Sequence, residues 1–161
     1  MSGTIGQIGA RSGIVGSTTD STQLDYEEGT WTASITQTNG SNPMTMNASY
    51  QTGYYTKIGN LVTVTGYFIT TSLGSASGDI RVNGLPFNSV NDNGAYTAVS
   101  IGAGGGLNLA SAGYHVSGYL TLDVDYFNLS VWDGTAGTSA MTASEWTADG
   151  SIIMSFSYRT A

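Results

Sequence analysis

The chain holds a single histidine, His115, and no cysteine. A histidine acting as a general base needs a nucleophile or an acid beside it, and no GxSxG, HExxH or comparable pattern surrounds Tyr114–His115. His115 therefore reads as a surface or interface residue of a strand. Glu27 and Glu28 are the nearest thing to paired acids. Glycoside hydrolysis needs two carboxyl groups about 5–10 Å apart across a cleft, and nothing around these two builds one. They read instead as carboxylates in a bend, accepting backbone N–H groups or pairing with Lys57 or Arg81. Asp123 and Asp125 stand two apart, so on a strand they would share a face and offer two oxygens to calcium. The ion takes about 6–8 oxygens, and no DxDxDG-type loop flanks the pair, which makes a solvated pair at a hairpin end the better reading. The GAGGG run at 102–106 lacks the Lys-Ser/Thr and the following helix of a phosphate cradle. It reads as part of a long flexible loop, 102–113. No catalytic residue, no metal site and no cofactor is expected.

Aromatic residues offer a different chemistry. They make up 11% of the chain and include ten tyrosines. Exposed tyrosines serve sugar stacking and protein interfaces, and Tyr54, Tyr55 and Tyr114 are the candidates for glycan or partner contact. Trp31, Trp132 and Trp146 are expected in the core.

These side chains would be carried by strands. Apolar and polar residues alternate with period two from Thr30 to Thr36, which puts Trp31, Ala33 and Ile35 on one face. Further strands are predicted at 50–58, 61–71, 79–82, 96–101, 114–124, 126–132 and 151–158. The Gly59–Asn60 pair supplies a hairpin turn. In the strand after it, Val62, Val64, Gly66 and Phe68 form the expected core face, and Leu61, Thr63, Thr65 and Tyr67 the other. Gly66 in mid-strand marks a bulge or a close approach. Only 140–148 offers a helical turn, with Thr142 or Ser144 as its cap. About eight strands with no ordinary helix indicate an all-β protein, an antiparallel β-sandwich of jelly-roll type.

Residues 1–25 differ from this pattern. Glycine and serine recur every few positions, and Ile5, Ile8, Ile14 and Val15 are scattered among them without helical period. The segment reads as an extended arm ahead of a sandwich domain at 26–161. It is either a passive leader or an arm that docks on a neighbour through its aliphatics, with Arg11 pairing a carboxylate there.

Charged residues are only 9% of the chain, against roughly 25% in ordinary soluble proteins. The surface must be built from Thr, Ser, Asn and Gly. Four basic residues stand against eleven acidic, for a net charge of -7, so the phosphate neutralisation that drives nucleic-acid binding is missing. No apolar run approaches the roughly 20 residues of a membrane helix, and the N-terminus lacks the pattern of a signal peptide. Synthesis in a cytoplasm, with no nucleic-acid or membrane partner, is the expectation.

Three motifs follow one another along the first half: DYEEGTWTAS from Asp25, YTKIGN from Tyr55 and GLPF from Gly84. In this order and spacing they resemble a β-sandwich module of tail fibres and other surface proteins of tailed bacteriophages. The resemblance runs from the arm to about Phe87; this chain has TWTAS where the module usually has proline after TWT. It implies a non-enzymatic virion protein made in the host cytoplasm and displayed at the virion surface. In fibres the module ends a long shaft. Here Met1 stands about 25 residues before it and no shaft repeat is present, which favours a homotrimeric capsid decoration (cement) protein whose partners are itself and the major capsid protein. The alternative is a tail-fibre or receptor-binding tip that holds host surface glycans.

Overall fold

The computed structural model describes residues 25–134 and 136–161. The expected arm, with Ile5, Ile8, Arg11, Ile14 and Val15, lies outside the described residues. Eleven strands run in chain order: β1 Tyr26–Thr32, β2 Ser34–Gln37, β3 Thr45–Met46, β4 Thr52–Ile58, β5 Leu61–Ser72, β6 Ile80–Asn83, β7 Thr97–Leu107, β8 His115–Leu120, β9 Tyr126–Trp132, β10 Ser139–Ala140 and β11 Trp146–Arg159. Nine of them form one antiparallel path in the order β1-β4-β5-β11-β7-β8-β9-β6-β2, with β3 added on β5 and β10 on β9. The path folds on itself at β7. Thr97–Val99 pair with β8, whereas the rest of the strand pairs with β11. A first layer, β1-β4-β5-β11-β7, thus faces a second, β7-β8-β9-β6-β2, and the expected all-β sandwich is confirmed in a nearly closed form.

Period-two patterning fills the space between the layers. Val62, Val64 and Phe68 of β5 and Ile152, Met154, Phe156 and Tyr158 of β11 are buried from one side, and Ile80, Val82, Phe127, Leu129 and Val131 from the other. Phe127 meets Phe156 edge-on across the layers, 5.5 Å between ring centres. Burying a side chain of this size contributes about 1.5–3 kcal/mol each, which is ample to organise a chain with one described salt bridge, Lys57 to Asp25 at 2.8 Å. The β4–β5 turn is as expected: Ile58 pairs with Leu61, and Gly59 carries φ of +58°, a conformation other residues avoid. Gly66 is a close approach, since a Cβ there would fall 2.1 Å from the Phe68 ring. At 143–145 a 3₁₀ turn forms under a capping box in which Glu145 Oε2 accepts from the Thr142 backbone N–H at 2.8 Å.

Three expectations are corrected. The glycine run is not a flexible loop: Gly105, Gly104 and Ala103 pair with Ser151, Ile152 and Ile153 of β11. Glycines lower strand propensity, but the long β11 is a template that pairs them regardless. Trp132 is 48% exposed, because it ends β9 on the outer face beside His115, whose ring stacks on it at 6.1 Å. Asp123 and Asp125 are, as expected, an exposed pair at the end of the β8–β9 hairpin, Asp123 with φ of +54°. Glu27 and Glu28 lie within β1, not a bend. They accept from tyrosine hydroxyls, Glu27 from Tyr55 at 2.6 Å and Glu28 from Tyr26 at 2.5 Å, while Lys57 takes Asp25.

Candidate functional site

The outer face of the first layer gathers most of the large exposed apolar side chains. Antiparallel register places residues of successive strands side by side, so the face can be read in rows. One row crosses five strands as Thr30, Tyr54, Thr65, Ser155 and Ser100. Every member carries a hydroxyl. Another, two residues along and therefore about 6.6 Å away, sets Tyr67 against Ile153 and Ala103. Tyr50, just ahead of β4, packs edge-on to Tyr67 with 5.2 Å between ring centres. Between the rows lies an open groove of about 510 Å³, lined by Tyr50, Tyr54, Thr65, Tyr67, Ser100, Ile153 and Ser155 among others, none of them acidic or basic. At the opposite end of the face Tyr26, Ile58, Leu61 and Arg159 share a row, and Thr63 and Ser157 hydrogen-bond across strands at 2.7 Å.

The three tyrosines chosen from sequence do not form one site. Tyr54 projects into solvent at 66% exposure beside the groove. Its neighbour Tyr55 points to the other side of β4 and crosses Gly29, where a Cβ would fall 2.9 Å from its ring. The Tyr55 hydroxyl is committed to Glu27, and that hydrogen bond, followed by burial, raises its pKa above the ordinary 10. Its ring meets Phe87 edge-on at 5.4 Å. Tyr114 belongs to a smaller depression with Ile101, Leu107, Leu109 and His115. Sequence reasoning therefore found one groove residue, Tyr54, and missed Tyr50, Tyr67 and Ile153. The signal was present, because the alternation of β5 already placed Tyr67 on the outward face with Thr65. Ser100 lies on a strand whose path between the layers no local pattern reveals.

No family model matches the chain, and no curated protein matches it. Among solved structures it is similar to the Dettilon tailspike protein. The two superpose with a TM-score of 0.71 at 21% identity, over 83% of this chain and 24% of that one. The likeness is one of fold, and this chain spans 24% of the length of the tailspike polypeptide. That fold occurs there as part of a longer tailspike polypeptide.

Proposed function

We propose that the protein is a non-enzymatic structural component of a tailed-phage virion surface, a homotrimeric capsid decoration protein that holds neighbouring subunits of the shell. The observation that carries this reading is the outer sheet surface: hydroxyl rows and exposed Tyr, Ile and Leu side chains on a chain with only 9% charged residues. Such a surface works by contact area. Repetition around symmetric neighbours multiplies weak contacts into firm attachment. The carboxylates adjacent in sequence, Glu27 and Glu28, are engaged by tyrosine hydroxyls and project from alternate faces of a strand, an arrangement that serves structure better than acid–base work.

A second reading is a tail-fibre or tailspike module that contacts host surface glycans. The fold likeness to a tailspike segment favours it. Reconstruction of the intact particle by electron microscopy separates the two. Density for this fold on the capsid lattice supports decoration, density at the tail supports the second reading, and absence of the protein from purified particles overturns both.

A further inference from the structure

We propose that the groove between Tyr54 and Tyr67 is a binding site for a neutral sugar. The inference rests on the second reading above, a module that contacts host surface glycans, and its test in solution stands apart from the reconstruction that locates the protein on the particle.

A pyranose ring presents a face of C–H groups and a rim of hydroxyls, and both halves of that pattern have a counterpart here. Tyr54, Tyr67 and Tyr50 supply aromatic surface, the first at 66% exposure and the others at 42%; tyrosine offers such surface at little conformational cost because its ring turns on two torsions. Thr65, Ser155 and Ser100 follow one another across three strands, and each hydroxyl can donate one hydrogen bond and accept two. That bidirectional chemistry matches sugar hydroxyls, which also do both. The groove volume of about 510 Å³ falls in the range of small-ligand sites, about 300–1,000 Å³. The strands hold these groups in fixed positions, so little order has to be imposed on binding.

Charge narrows the class. No carboxylate, lysine or arginine lines the groove, so nothing there would repay desolvation of a uronic or sialic acid. An unpaired donor lies beneath the same strands. The ladder between β4 and β5 stops at Tyr54–Thr65, and directly behind Gly53, between the groove-lining Thr52 and Tyr54, lies Trp31 Nε1. It is the one buried side-chain polar atom without a hydrogen-bond partner among the described residues, and a Cβ on Gly53 would fall 2.4 Å from it. The donor is buried on the inner side of the sheet, where polar groups are nearly always paired.

The test is amide NMR on the full chain titrated with maltohexaose, cellohexaose and mannohexaose, with hexagalacturonate as the charged counterpart. At least one neutral oligosaccharide is expected to shift the amides of 50–54, 65–67 and 153–155, with a dissociation constant on the order of 1 mM. Tyr54→Ala and Tyr67→Ala should each weaken it by about tenfold or more, and Tyr96→Ala, on an exposed tyrosine elsewhere, should leave it unchanged. The proposal is overturned by an absence of shifts with all three neutral probes, by equal binding of hexagalacturonate, or by shifts that survive Tyr54→Ala. It is also overturned if Tyr54→Ala and Tyr67→Ala lower the oligomer mass in light scattering, which would make the groove a contact between copies.

Discussion

Trp31 and Trp146 each lie against a glycine that makes room for the indole. A Cβ on Gly53 would fall 2.4 Å from Trp31 Nε1, and a Cβ on Gly150 would fall 2.2 Å from Trp146 Nε1. Both side chains are almost fully buried. Their polar ends fare differently. Trp146 Nε1 donates to Thr70 Oγ1 at 2.8 Å, and Thr70 lies within 3.3 Å of the carbonyls of Thr147 and Gly150 to pass its own proton on. Trp31 Nε1 has no such partner; its neighbours are Gly53 and the edge of Phe68, 5.1 Å between ring centres. Glycine solves the steric half of burying a tryptophan, and the polar half depends on a hydroxyl from an adjacent strand.

Deleting the indoles should give the largest effects. Trp31→Ala and Trp146→Ala should each cost about 3–5 kcal/mol, and Trp146→Ala the more, because it also strips Thr70 of its donor. Urea denaturation measures both; an unchanged midpoint for Trp31→Ala would move that side chain out of the core. Next come the glycines. Gly53→Ala and Gly150→Ala force an indole aside and should cost about 1–3 kcal/mol each. If Gly53→Ala proved neutral, the packing parallel between the two sites would fail.

Thr70→Val tests the difference directly. It keeps the shape, leaves Trp146 Nε1 unpaired, and should cost about 1–3 kcal/mol, bringing Trp146 to the condition Trp31 already has. No loss of stability would mean that the hydrogen bond does not distinguish the two sites.

The smallest effect concerns pH and a third buried ring. Burial raises the pKa of Tyr158, whose hydroxyl donates to the Phe87 carbonyl at 2.9 Å. The unfolded chain then loses this proton first, at about pH 10. The associated stability is full below that pH and declines as pH rises towards the folded-state pKa. Tyr26 and Tyr55 shift the same way, chiefly through their hydrogen bonds to Glu28 and Glu27, at the surface rather than in the core. Thermal melts from neutral pH to above pH 10 should therefore show a decline that is shallower in Tyr158→Phe. An equally steep decline in that variant would assign the effect to other groups.

Period two was enough to identify the inner face of β5, since Val62, Val64 and Phe68 are buried as expected, and the same alternation buries Ile152, Met154, Phe156 and Tyr158 of β11. What alternation cannot carry is pairing between distant segments. The run 102–106 looks like loop because glycine has no preference of its own, and only β11, some fifty residues away in sequence, makes it strand. Trp132 was misplaced because residue type outweighed position: as the last residue of β9 it obeys the outward phase of its strand. The groove was half legible. Tyr54 and Tyr67 sit on strands whose outward phase is plain, whereas their approach to Ser155 and Ser100 depends on register set by tertiary pairing.

The handover at Ala33 has a kinetic consequence. β1 and β2 are the two ends of the strand path, yet one buried alanine joins them. β1 needs β4 as its template and β2 needs β6, so 26–37 gains its full set of partners only after both have been laid down. Loop closure of this kind is slow because entropy is lost before contacts compensate. Closing the seam should be the late event of folding, and the amides of Trp31 and Ile35 should gain protection from hydrogen exchange after those of Val64 and Phe156.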